Sequence, residues 1–468
     1  MTLQGLLVFG RHATRADLRR RFGGLALLDR GVRTLARAGA ARIVILAPAA
    51  VPVRVARLPR KLRAAVSVAH WEDGASLPLE GDRPVLVLQG DCVHHHSHLT
   101  DLVEAGLGQR DAVVQAGPAP PQPLSFESVE IAAGRLVFGG PGEATATGAC
   151  LCSPALDLRP LAASGLDLNA FLAEVTDGRA LGLAPANPGL WRRVVDRRSA
   201  RQAKAMLFAQ VTKKTSGPIS RHMNARFSIP ISKLLIETGI SPHLVTLLFV
   251  LTTGLASAYL MSDPSGYGRL ALAGFLWHMA AVLDRCDGEV ARVKLAESQF
   301  GAWFDTVTDN IAYFAMYSAI LVAAHRHHGG DPMYLALGLS AVAAMVFTLG
   351  LEYAFALRTG SGSLQNYLFA FINGVPAEEK GRILRLLERY AFVAKRDFFS
   401  FIVFALALTG QIDFIYWFSV ISLHLLAAGA LAMHRKMVLV QRRLEARSVA
   451  FNHHLEPTSQ RAGSPGTK

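Results

Sequence analysis

Four aspartates in one short stretch carry the strongest chemical signal in this chain. From Leu283 to Asn310 the sequence reads LDRCDGEVARVKLAESQFGAWFDTVTDN. Asp284 and Asp287 are three residues apart and Asp305 and Asp309 four apart, so each pair shares one face of a helix. Both pairs adjoin apolar stretches that are candidate membrane spans, where ionisable groups are costly and usually serve function. Four carboxylates facing one another repel unless a cation sits between them. Hard oxygen donors in that number suit Mg²⁺, Mn²⁺ or Ca²⁺ rather than zinc. Gly288 and Gly301 remove side chains where a ligand or a partner helix must come close. Arg292, on roughly the same face as Gly288, can reach a phosphate. A solvated turn with incidental acids is the bland alternative, and it does not require this combination.

The elements that must position these residues are apolar. Of the 468 residues 51% are hydrophobic and 18% charged, against about 25% charged in soluble proteins. Disorder is excluded for most of the chain, and an ordinary soluble enzyme is disfavoured. Lys and Arg outnumber Asp and Glu by 49 to 35, a formal charge of +14. With long apolar runs, that excess points to anionic lipid or phosphorylated substrates rather than nucleic acid. Cys92, Cys150, Cys152 and Cys286 are too few and irregular for a disulfide framework, which fits a reducing compartment. Met1 to Gly10 is apolar but short, and no signal peptide is expected.

Six stretches supply candidate spans: Leu244–Met261, Leu270–Leu283, Ala302–Ala324, Met333–Gly350, Phe398–Gly410 and Phe414–Met433. Six crossings put both termini on one side. Lys and Arg crowd the segment from Arg192 to Arg226, the loop 376–397 and the region after His434, while the opposite loops hold few, such as Arg269 and Arg326. The positive-inside rule therefore predicts an integral membrane protein of six spans, with both termini cytoplasmic and a bacterial inner membrane as its site. The expected division is a soluble domain over 1–215, a linker and interfacial helix over 216–243, the membrane domain over 244–440 and a tail over 441–468. The polar segment Glu456–Lys468 is expected to be disordered.

Residues 1–215 alternate apolar strands with helical patterns, an α/β arrangement. Leu3–Phe9, Arg42–Leu46 and Pro84–Leu88 read as strands, and Leu27–Ala38 as a helix with an apolar stripe. Asp91 follows the third strand, at the carboxyl end where such folds bind ligands. His94, His95, His96 and His98 come next and read as a solvated loop, since consecutive histidines diverge and no cysteine has ligand spacing to them. Cys150 and Cys152 alternate along a strand and read as core, and Cys286 as packing between helices.

The spacing D-x2-D-G-x2-A-R-x8-G-x3-D-x3-D resembles the signature of the CDP-alcohol phosphotransferase family. Asp284, Asp287, Gly288, Ala291, Arg292, Gly301, Asp305 and Asp309 match it at every position. The resemblance implies a six-helix membrane domain, a homodimer, and a site open to the cytoplasm that takes a CDP-alcohol donor and an alcohol or polyol-phosphate acceptor beside membrane lipid. It also implies that Asp284, Asp287 and Asp305 hold a pair of Mg²⁺ or Mn²⁺ ions, that Asp309 completes the site as general base, and that Gly288, Arg292 and Asp284 contact the CDP moiety. The chemistry suits these residues. Attack on the phosphorus next to departing CMP needs charge neutralisation, in-line positioning and a carboxylate to take the hydroxyl proton.

Lys213–Thr246 resembles the linker of one subgroup, the bifunctional inositol-1-phosphate cytidylyltransferase/di-myo-inositol-phosphate-phosphate synthase type. Members fuse a doubly wound, nucleotidyltransferase-like domain to the membrane domain in this same order. Where the family often has Pro-Asn before the first span, this chain has Pro242-His243. AKRDFF (Ala394–Phe399) resembles the start of the family's fifth helix, so Lys395 and Arg396, with Arg221, are expected at the acceptor's phosphate. Helix-end snorkelling is the plain alternative. Active nucleotidyltransferases carry a G-x-G-T-R-type loop, replaced here by Arg11, His12, Ala13, Thr14 and Arg15. After Trp191, expected acids are replaced by Arg193 and Val195, leaving Asp91 as the one metal carboxylate. The domain is therefore expected to keep the fold without the activity, the alternative being a bifunctional enzyme that makes its own CDP-alcohol from CTP and an inositol or sugar phosphate.

Overall fold

The computed structural model describes residues 2–53, 58–118, 128–132, 135–139, 144–212, 217–263, 265–359 and 396–455. The chain divides into two compact units. One comprises Met1–Thr215, Ile229–Ser241 and Gly288–Glu297; the other comprises Ser216–Ser228, Pro242–Asp287 and Ser298–Lys468.

The first unit is built on a mixed sheet. Its strands are β1 (Leu3–Val8), β2 (Ala40–Ala47), β3 (Val66–His70), β4 (Val85–Gln89), β6 (Ala112–Gly117), β7 (Thr145–Cys152) and β8 (Leu181–Pro185), in the order β8-β6-β7-β4-β1-β2-β3. A separate ribbon pairs β5 (Cys92–His94) antiparallel with β9 (Trp191–Arg193). The expected strands appear as β1, β2 and β4, with ends moved by a residue or two. β1 is fully buried, as a strand with both neighbours parallel and both faces covered should be. β7 runs antiparallel to both of its neighbours. The unit's helices include α1 (Arg15–Arg19), α2 (Leu27–Arg37), α3 (His96–Ala105), α4 (Leu168–Val175) and α5 (Arg197–Ala209). Helix α2 buries Leu27, Leu28, Val32 and Leu35, the stripe its sequence predicts. The Gly90 amide donates to the Val8 carbonyl at 2.7 Å, which sets the end of β4 beside the end of β1 and fixes where Asp91 starts.

The histidine cluster is not a solvated loop. His94 and His98 are 2% and 1% exposed, with Nδ1 atoms 3.0 Å apart and rings stacked at 5.2 Å. His94 ends β5 pointing inward, and His98 lies in the first turn of α3 on its buried side. Strand alternation passes directly into helical spacing, so residues that diverge in sequence converge in space. Burial, then the neighbouring imidazole, lowers the His94 pKa to about 3; burial lowers that of His98 to about 4.

Further helices are α6 (Ala225–Leu235), α7 (Pro242–Met261), α8 (Tyr267–Val293), α9 (Gln299–His327), α10 (Pro332–Thr359), α11 (Arg396–Leu408) and α12 (Ile412–Leu455). Helices therefore stand at all six apolar stretches. Among the described residues, four segments are long and apolar enough to cross a membrane: Pro242–Met261, Gln299–His327, Pro332–Ala354 and Ile412–Ala432. The other two do not meet that measure. Helix α8 is 27 residues long but carries Asp284, Arg285, Asp287, Glu289 and Arg292 toward its C-terminal end. Of α11, 13 residues are described, about 20 Å at ~1.5 Å per residue. The second unit's core joins Trp277, Met316, Ile320, Val403, Ile415 and Tyr416. At Gly274, α8 and α11 approach so closely that a Cβ would stand 2.4 Å from that of Ala407. Helix α12 continues through 441–455, and the segment expected to be disordered, Glu456–Lys468, lies outside the described residues.

Candidate active site

Helices α8 and α9 bring the acids together. One carboxylate oxygen from each of Asp284, Asp287 and Asp305 lies within 4.8 Å of the other two. Asp287 is buried and accepts a hydrogen bond from Thr246 Oγ1, on a π-helical turn (Thr246–Leu251) inside α7. Such turns often mark functional sites, because they re-aim one side chain without ending the helix. Arg396, the first residue of α11, donates to Asp309 and lies 3.0 Å from Asp284 Oδ1. Its guanidinium also stands 5.6 Å from the centre of the Tyr313 ring. Three hard oxygen donors at this mutual spacing fit a divalent cation, which would hold together charges that otherwise repel.

The other expected site residues are distributed more widely. Gly288 and Arg292 belong to the first unit, where Arg292 Nε donates to the Val211 carbonyl at 2.8 Å and a Cβ on Gly288 would stand 3.1 Å from Arg292 Nη1. Arg221 is exposed on a second π-helical turn (Ser220–Asn224). Lys395 lies outside the described residues. A Cβ on Gly301 would stand 3.0 Å from His243 Cε1, so the missing side chain makes room for the residue that departs from Pro-Asn. The His243 ring meets Phe300 and Phe304 edge-on, both at 5.6 Å.

In the first unit, the end of β4 is filled by the chain itself. Arg193 Nε binds Asp91 Oδ2 at 2.7 Å, because the β5–β9 register sets Arg193 opposite Cys92. Thr14 caps α1 in a reciprocal capping box with Asp17. Arg11 lies 4.3 Å over the Trp71 ring and donates to the Leu166 carbonyl at 3.2 and 3.3 Å. The segment expected in the place of a phosphate loop is thus a capped helix start with an arginine laid across it.

Residues 240–409 match the family model for CDP-alcohol phosphatidyltransferase. The chain is 30% identical over 342 residues to a protein from Rubrobacter xylanophilus named "Bifunctional IPC transferase and DIPP synthase", covering 68% of this chain and 75% of that one. The chain belongs to the CDP-alcohol phosphatidyltransferase family. A phosphatidylinositol phosphate synthase of Corynebacterium glutamicum is 36% identical over 92 residues, 19% of this chain and 40% of that one. Among solved structures, the inositol-1-phosphate CTP transferase of T. maritima aligns with a TM-score of 0.31 at 14% identity, over 44% of this chain and 97% of that one.

The enzyme is a membrane CDP-alcohol phosphotransferase, and its second unit contains polar partners that the spacing of the acids did not disclose. Arg285 sits between the two aspartates of α8 and is held by Ser228 Oγ at 3.1 Å and Ser220 Oγ at 2.5 Å. Asn224 Nδ2 donates to Asp397 Oδ1 at 3.0 Å. With Thr246, these groups fix the approach of α6, α7 and α11 to the acids. Their sequence signal was slight: polar residues at the edges of apolar stretches.

Proposed function

We propose that this enzyme transfers a phosphoryl-alcohol unit from a CDP-alcohol to a phosphorylated polyol and releases CMP. The convergence of Asp284, Asp287 and Asp305 within 4.8 Å, with Asp309 one helical turn further along α9, is the observation that carries this reading. Bound Mg²⁺ or Mn²⁺, two ions in our assignment, would be held by these carboxylates and would supply charge neutralisation at the transferring phosphate. Asp309 accepts the proton of the attacking hydroxyl, and Arg396 pairs with it until then. When the acceptor's phosphate arrives, Arg396, with Lys395 and Arg221, turns to it and releases Asp309 for that proton. Gly288, Arg292 and Asp284 contact the CDP moiety.

The acceptor class we assign is an inositol phosphate, in keeping with the name of the phosphatidylinositol phosphate synthase relative. Six spans, an inner-membrane location, a homodimer and cytoplasmic termini complete the proposal, the last supported by the run of Lys and Arg before α7. Residues 1–215 act without cytidylyl transfer, a reading supported by the Asp91–Arg193 pair. The test is mass spectrometry of products from the purified full chain given CDP-diacylglycerol or CDP-inositol with inositol phosphate, glycerol phosphate or buffer. Metal-dependent CMP release with a phosphodiester formed only with inositol phosphate supports the assignment. CMP release with glycerol phosphate alone overturns the acceptor, and no CMP release from either donor overturns the reaction.

A further inference from the structure

At the other end of α9, three ligating side chains meet that the transfer reaction does not use. His327 and His328 end or cap α9, and Asp413 lies in the first turn of α12. One donor atom from each lies within 4.8 Å of the others. His328 Nε2 already stands 2.7 Å from Asp413 Oδ1. The His328 ring is stacked on Tyr334 at 3.8 Å and 7°, and the Tyr334 carbonyl accepts the Tyr416 hydroxyl at 2.6 Å. Helices α10 and α12 thus fix this imidazole before any ligand arrives. An ion pair would account for His328 and Asp413 but not for His327, which brings a ring nitrogen within 4.8 Å of both.

We propose that His327, His328 and Asp413 form a binding site for a zinc-class transition-metal dication, stapling α9 to α12. Two imidazole nitrogens and one carboxylate oxygen are a borderline-soft set that suits zinc, whereas the all-oxygen aspartate cluster suits Mg²⁺. Tetrahedral zinc with bonds of ~2.1 Å needs its ligand atoms about 3.4 Å apart. The His327 side chain is exposed and therefore free to adjust toward that distance. Asp305 and His327 share α9, and at ~1.5 Å per residue their separation along the axis is about 33 Å, so the two sites are independent.

The test uses the full chain, purified in detergent, stripped with chelator and titrated with Zn²⁺ in excess Mg²⁺. We expect one Zn²⁺ per chain by elemental analysis and a zinc-dependent rise in melting temperature. His327→Ala, which leaves the His328–Asp413 bond in place, should weaken zinc binding at least tenfold while Mg²⁺-supported CMP release is unchanged. Asp305→Asn should bind zinc as the wild type does. Absence of bound zinc, wild-type zinc affinity in His327→Ala, or loss of zinc in Asp305→Asn each overturns the proposal.

Discussion

Replacing Asp305 by Asn changes one charge at nearly constant shape, and its effects on catalysis and on metal-free stability should have opposite signs. With all four acids ionised, Asp284, Asp287, Asp305 and Asp309 against Arg396 leave three net negative charges, and the substitution leaves two. At a separation of up to 4.8 Å and an effective dielectric of ~20, each ionised pair among Asp284, Asp287 and Asp305 repels by at least about 3 kcal/mol. Removing Asp305 relieves this repulsion when no metal is bound, so chelator-treated Asp305→Asn should melt above chelator-treated wild type. Added Mg²⁺ should raise the wild-type melting temperature more than the variant's. Catalysis loses a ligand to the ion that neutralises the transferring phosphate, a loss of about 4 kcal/mol, which is roughly a thousandfold in rate. The assay is CMP release over an Mg²⁺ titration, paired with thermal melts with and without chelator. Turnover within threefold of wild type, or an equal Mg²⁺ stabilisation of the variant, would refute the assignment of these carboxylates to a metal.

Three further outcomes follow from the structure. The full chain should release no pyrophosphate from CTP with any of a panel of polyol phosphates, because Arg193 occupies Asp91; Asp91-dependent release would establish a second active site. The pKa values of His94 and His98 lie below the ~6.5 of an unfolded histidine, so the unfolded chain takes up more protons and stability rises with pH. The stability these histidines contribute is fully present above about pH 6.5 and is lost as pH falls toward about 4 and then 3; the melting temperature should fall through that window, and His98→Gln should flatten the slope. Gly274→Ala drives a Cβ to 2.4 Å from that of Ala407 and should cost about 1–3 kcal/mol by overpacking, read as a lower melting temperature in detergent; an unchanged melt would mean that α8 and α11 separate freely.

What the sequence determined by itself was whatever local periodicity controls. Residues three and four apart share a helix face in any helix, so the pairs Asp284/Asp287 and Asp305/Asp309 were legible without a fold. The strands β1, β2 and β4 and the stripe of α2 were legible because apolar runs of those lengths have few alternatives. Tertiary structure decided the partners. Arg396 reaches Asp309 across 87 positions, and Arg193 reaches Asp91 across 102. Neither spacing has a period to betray it. The histidines show the limit most clearly, because one side chain belongs to a strand and the other to the helix that follows. Alternation and helical turn each fix a direction within one element. Only the packing of β5 and α3 against their neighbours decides that His94 and His98 turn inward together, and that the guanidinium of Arg193 comes to rest on the carboxylate of Asp91.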